Sequence, residues 1–175
     1  MAMEVSIRRA TVADAQALSA ISKQTFFDTF TGTCSDADME SFLESYYNLQ
    51  QVASELSDTN DHYCLAEING KVVGYLRFME DYRSFAHIKQ WKALELKRIY
   101  VDKNFHGKGI AQMLMKIVMD YANNNSYEVI WLGVWEHNLR AQSFYEKFGF
   151  VNSGFTHDFP IGNTPQTDKW FWKFL

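Results

Sequence analysis

This sequence predicts a single α/β domain over residues 1–175. It is built on one mixed, mostly antiparallel sheet of about seven strands, flanked by helices. Three observations predict it. Stretches of strand-like and helix-like periodicity alternate along the chain, with no break in composition and no internal repeat. Asn69-Gly70 between two strand-like runs is a strong hairpin signal, which makes that pair antiparallel. Residues 129–134 are apolar without alternation, as in an inner strand covered on both faces. With 47% hydrophobic side chains in 175 residues, the chain can bury a sizeable core.

Each element has its own signal. Residues 5–9 read as a first strand. Thr11 and Asp14 then have the spacing of a capping box, with Asp in the usual Glu place. Val12, Ala15, Leu18 and Ile21 recur at helical spacing and carry a first helix to about residue 23. The aromatic run at 25–30 reads as a departure into a loop. Ser35 with Asp38 opens a second helix, with Met39, Phe42, Leu43 and Tyr46 on one face, and residues 50–56 make a short third. Residues 61–68 and 71–80 are the hairpin strands, with Val72, Gly74, Leu76 and Phe78 on one parity, and 80–92 is the longest loop. A strand at 94–101, a glycine loop and a long amphipathic helix follow. That helix carries Ile110, Met113, Leu114, Ile117, Val118 and Tyr121, and the three asparagines at 123–125 end it. Asn138 can cap the next helix, which holds Phe144, Tyr145 and Phe148 and stops at Gly149. Residues 150–157 and 167–174 are the last strands.

A net charge of −4 without a basic run argues against nucleic-acid binding. No stretch approaches a membrane span, and residues 1–10 lack an apolar signal core. Cys34 and Cys64 are isolated, which fits a reducing, cytoplasmic compartment. The five histidines show no ligand spacing, so no metal is expected. The aromatic tail Trp170-Phe171-Trp172 fits either the core or a partner subunit, which leaves a homodimer open.

The chemistry gathers at Asn104-Phe105-His106-Gly107-Lys108-Gly109-Ile110-Ala111. Two glycines one residue apart, ahead of a helix, let backbone N–H groups converge on an anion, and the helix N-terminus adds partial positive charge. A dinucleotide-binding GxGxxG fails at Gln112, where the third glycine should stand. A nucleoside-triphosphatase loop fails at Asp102, and again at Gly109 after Lys108.

Residues 94–150 join this loop to Asn138-x-x-Ala141-x-x-Phe144-Tyr145-x-x-x-Gly149-Phe150. Together they resemble the GNAT family of acetyl-CoA-dependent N-acetyltransferases. Residues 24–30 and the tail Gln166-Thr167-Asp168 also look like the branch that acetylates spermidine and spermine. The resemblance implies a sheet splayed at the coenzyme site, with pyrophosphate on the amides of His106, Gly107, Lys108, Gly109, Ile110 and Ala111. It implies a pantetheine arm along the backbone of Ile99, Tyr100 and Val101, with Asn138 as a further amide partner. Tyr145 is expected to protonate the departing thiolate. Asn104 stands where the family usually has Gln or Arg. His106 stands where it often has Arg, so its contact with phosphate is expected to weaken as pH rises.

The acceptor implied is a small primary amine such as a polyamine, attacking directly in a ternary complex. Freeing an alkyl ammonium of its proton at pH 7 costs about 4.6 kcal/mol, so a base is wanted. Related enzymes often carry a carboxylate on the strand before the glycine loop or the one after it. Glu95 lies on the former, with the parity of Lys97, Ile99 and Val101, and is the candidate base beside a water chain to Glu136 or to backbone carbonyls. Lys97 stands where an acid is expected, and Gly133 leaves the later strand without one. Those two positions motivate an alternative, a coenzyme-binding regulatory module with little turnover; a peptide or protein N-terminus is a further acceptor. Asp28, Glu80, Asp81 and Asp158 fall in expected loops that can ring an acceptor cleft. Phe26, Phe27 and Phe30 can wall it or bury the first helix.

Overall fold

The computed structural model describes residues 4–80 and 85–175. Among these, seven strands form one sheet, in the order β1-β2-β3-β4-β5-β7-β6. The strands are β1 (Val5–Arg9), β2 (Asp61–Ile68), β3 (Lys71–Met79), β4 (Ala93–Val101), β5 (Val129–Trp135), β6 (Val151–Asp158) and β7 (Thr167–Phe174). All neighbours run antiparallel except β4 and β5. The helices are α1 (Ala15–Phe30), α2 (Asp36–Tyr46), α3 (Leu49–Ser57), α4 (Ile110–Asn124) and α5 (Leu139–Lys147).

The local signals act where they stand. The Asp14 carboxylate accepts from the Thr11 N–H at 2.8 Å, and Ser35 and Asn48 cap α2 and α3. Asn69 and Gly70 turn the hairpin with φ of 51° and 75°, the pairing that matches strand twist. The aromatic run at 25–30 does not leave the helix. Phe26 and Phe30 are buried against Phe42, Tyr47 and Ile161, and that burial extends α1 to Phe30. Tyr46 is half exposed, and its neighbour Tyr47 takes the buried place instead. Asp81 lies outside the described residues. From residue 85 the long loop is packed: Phe85 and Ile88 are fully buried with Trp131 and Trp170. The tail also belongs to the core, Trp170 and Phe171 being buried and Trp172 packed beside them.

The sheet separates two apolar layers. On one face, α4 and α5 lie over Leu94, Leu96, Ile130, Leu132 and Val134. On the other, α1, α2 and α3 cover β2–β4, and the segment around Phe85 covers β5 and β7. A buried polar network lies beneath α3. Arg77 grips Asp61 through two nitrogens and reaches Glu55 at 3.0 Å, while the Tyr63 hydroxyl donates to Glu55 at 2.6 Å. No helix among the described residues is long and apolar enough to cross a membrane.

Candidate active site

Two features of β4 build the site. First, β4 and β5 are paired over only three positions, Ala93–Val129, Leu94–Ile130 and Glu95–Trp131. Beyond Glu95 they part, so residues 99–101 bond to β3 on one side and offer a free backbone edge on the other. Second, the register with β3 slips at Lys97, which has no opposite number: Arg77 faces Arg98 and Phe78 faces Leu96. The extra residue reverses the parity. Leu94, Leu96, Ile99 and Val101 all pack toward α4, so Glu95 does not share the parity of Ile99 and Val101 and lies on the opposite face.

The gap between the strands is a cleft of about 370 Å³. It runs through the sheet. Ile99, Tyr100 and Val101 line it with Asn138 and Tyr145; His106 and Ala111 stand at the α4 end, and Thr25, Asp28, Thr29 and Trp135 at the α1 end. A second hollow, lined by Gly107, Gly109, Ile110 and Arg140, continues over the glycine loop.

At the loop, Gly107 and Gly109 hold φ of 76° and 79°, left-handed values that favour glycine. The first α4 bond runs from the Met113 N–H to the Gly109 carbonyl, so the amides of Ile110, Ala111 and Gln112 precede the helical ladder and are free to meet an anion. Lys108 places its ammonium 4.9 Å from the Phe105 ring centre. His106 departs from expectation. Its Nε2 donates to the Val101 carbonyl at 2.7 Å, and Arg140 donates to its Nδ1 at 2.7 Å. Those two bonds describe the neutral tautomer, so the cation at this spot is Arg140. Sequence reasoning missed Arg140 because it lies outside the loop, on the first turn of α5. Asn104 folds back onto Asp102.

α5 starts where β5 ends because Gln142 ties the two, donating to the carbonyls of Trp135 and Glu136. Asn138 caps it, its Oδ1 accepting from the Ala141 N–H at 3.0 Å, which leaves the amide NH₂ for other partners. Tyr145, two turns on, is buried yet reaches the cleft. Burial first, and then the charge of Asp168, push its phenol well above the usual range, so the hydroxyl keeps its proton.

Glu95 is buried beside Lys97, its Oε2 3.1 Å from the ammonium, and does not line the cleft. Of the described carboxylates expected to ring the cleft, one lines its wall: Asp28, on α1 rather than a loop, held at 2.7 Å by Lys103. Glu80 instead accepts from the Tyr127 hydroxyl, Asp158 ends β6, and Glu136 follows β5. Phe26 and Phe30 bury α1, while Phe27 is exposed. Burial raises both thiols, Cys34 and Cys64, which disfavours a thiolate nucleophile.

The residue least visible in sequence is Asp168 on β7. It sits opposite Trp135 of β5 and His157 of β6. Burial pushes its carboxyl up to about 7.

Residues 22–150 match the model of the acetyltransferase (GNAT) family. An uncharacterized N-acetyltransferase from the pepI 3′ region of Lactobacillus delbrueckii subsp. lactis is 34% identical over 149 residues, 85% of either chain. Among solved structures, the PaiA N-acetyltransferase of Thermoplasma acidophilum, in complex with coenzyme A, superposes with a TM-score of 0.80. It is 19% identical, with 99% of this chain and 100% of that one covered. The ribosomal-protein-alanine N-acetyltransferase of Brucella melitensis gives 0.73 at 24% identity, covering 97% and 99%. These two likenesses are of fold.

Proposed function

The chain belongs to the acetyltransferase (GNAT) family of acetyl-CoA-dependent N-acetyltransferases, and on that premise we propose that it acetylates a small primary amine by direct attack with both substrates bound. The observation that carries this reading is the cleft that pierces the sheet where β4 and β5 part. A cleft open toward both layers lets the coenzyme approach from the α4–α5 side and the amine from the α1 side, with the reacting atoms meeting between the strands.

The residues present fit the coenzyme. Neither Gly107 nor Gly109 has any atom within 4 Å of where a Cβ would stand, so the loop backbone is open to a pyrophosphate. The first-turn amides of α4 and the Arg140 guanidinium supply the donors. The free edge at Ile99, Tyr100 and Val101 suits an extended arm with alternating amides, paired as another strand would be. The Val101 carbonyl already accepts from His106, so Ile99, Tyr100 and the Asn138 amide carry more of that pairing. When bound, the coenzyme supplies an activated acyl group on a good leaving group. Tyr145 donates a hydrogen bond to the sulfur as the C–S bond breaks, and its raised phenol favours a donor over a base. On the acceptor side, Asp28 and the hydroxyls of Thr25 and Thr29 offer a polar wall to a cation, which suits a polyamine-like amine over a neutral acceptor.

The test is release of free thiol from acetyl-CoA with spermidine, a simple diamine and a peptide bearing an N-terminal alanine. We expect turnover with at least one of the amines. Acetyl-CoA binding without release for any of them contradicts the reading and favours a regulatory module. Tyr145→Phe should lower kcat about 100-fold, with acetyl-CoA affinity unchanged.

A further inference from the structure

Gly133 lies just past the end of the β4–β5 pairing, whose last pair is Glu95–Trp131. It stands one pleat from Trp131 and Trp135, whose side chains pack on the face that holds α1, α2 and the Phe85 segment. Its missing side chain is the point of interest. A Cβ at Gly133 would lie 3.0 Å from Asp168 Oδ2 and 3.1 Å from His157 Cε1. The carboxylate of β7 therefore occupies the space that a β5 side chain would fill. It stands behind the cleft wall rather than in it, next to two residues that line the cleft, its strand partner Trp135 and Tyr145.

One oxygen of Asp168 is held there without compensation. Its Oδ1 is shut off from solvent and has no hydrogen-bond partner among the described residues. Such a group costs stability, and native proteins seldom keep one without a use. Among the described residues, the groups around it are few. Tyr145 approaches from α5 closely enough to feel its charge. His157 faces it from β6, its Nδ1 accepting from the Trp170 indole, so the ring is the neutral tautomer. From β4, Lys97 is felt by His157 and is itself beside Glu95. Lys169, next in the chain, turns to the other face and Gln142.

We infer that Asp168, reaching over the bare backbone of Gly133, is the carboxylate that receives the proton of the acceptor ammonium. This rests on the amine-acetylating reading above. The nitrogen loses two protons in going from ammonium to amide. The first passes to the Asp168 carboxylate and on to solvent. The freed lone pair forms the C–N bond, and the C–S bond breaks with its pair on sulfur. The second proton leaves nitrogen for the Tyr145 oxygen as the phenol gives its own to sulfur. Tyr145 ends as it began, and one proton is released overall. The base that the strands flanking the gap lack thus comes from β7, in the space that Gly133 leaves free.

The experiment follows thiol release with the amine panel against pH for the wild type, Asp168→Asn and Gly133→Ala. It adds calorimetric binding of spermidine to the coenzyme A-loaded protein. In the wild type, kcat/KM should rise with pH through about 7, as the carboxyl loses its proton. Asp168→Asn should lower kcat/KM at least about 100-fold, remove that rise, weaken spermidine binding tenfold or more and leave acetyl-CoA affinity unchanged. Gly133→Ala, which keeps the carboxylate but crowds it, should act in the same direction. An active wild type whose pH profile and rate survive Asp168→Asn overturns the assignment and leaves the amine reading standing. A wild type that binds acetyl-CoA but releases thiol with no amine overturns both.

Discussion

At the scale of single residues, Asp168 couples the site to stability. Its folded carboxyl at about 7 lies above the usual 3.8. Below pH ~4 it is protonated in both folded and unfolded chains. Between those values the unfolded chain releases the proton while the folded one keeps it, so its contribution falls as pH rises and levels off above 7. At about 1.4 kcal/mol for each tenfold change in acid constant, the loss amounts to roughly a few kcal/mol. Thermal unfolding from pH 4 to 8 should show Asp168→Asn gaining on the wild type as pH rises; parallel curves for the two proteins contradict the burial. This residue also marks the limit of what the sequence discloses. Tyr145, Asn138 and the glycines sit in local motifs, and the motif is their signal. Asp168 matters through Gly133 and His157, which the fold, not the chain order, sets beside it. Arg140 was hidden for the same reason, and its guanidinium stands against His106, at the spot where the loop motif predicts a cation.

At the scale of elements, capping and turn chemistry made most boundaries legible. Thr11 with Asp14, Ser35 and Asn138 cap as expected, and Asn69-Gly70 turns the hairpin. Periodicity misled at 25–30, where the aromatics that look like a loop are the buried end of α1. It also misled in β4. Reading alternate residues onto one face presumes an unbroken pleat, and the slip at Lys97 turns Glu95 away from Ile99 and Val101. That irregularity has no sequence signature of its own. The loop before α4 gives a sharper test. At φ of 79°, Gly109→Ala meets no neighbour but adopts a left-handed backbone, which costs about 1–2 kcal/mol. We expect that loss in denaturant unfolding, together with weaker acetyl-CoA binding as the first-turn amides tilt. A variant with wild-type stability and affinity argues against the loop geometry.

At the scale of the whole molecule, the buried network of Arg77, Asp61 and Glu55 ties α3 to the strands beneath it. Arg77 and Asp61 are each less than a tenth exposed, so losing one partner leaves the other charge stranded. Asp61→Ala should destabilise the protein by about 3–5 kcal/mol in urea unfolding; a loss under about 1 kcal/mol means that water or rearrangement replaces the pair. The fold class was legible because strand runs, helix stripes and the hairpin agree with one another. The order of the last two strands was not, because nothing local says that β7 inserts between β5 and β6. That insertion brings Asp168 beside β5. The parting of β4 from β5 also has a mechanical side. The sheet is two leaves bound by a short spine of three residue pairs, and chain order follows the leaves: β1 to β4 on one side, β5 to β7 on the other. The glycine loop and the free edge belong to the first leaf, while Asn138, Arg140, Tyr145 and Asp168 belong to the second. The spine at Ala93–Glu95 and Val129–Trp131 is therefore a gauge that sets how far apart the two sets of groups stand, and a change of side chain there retunes the aperture without touching either substrate.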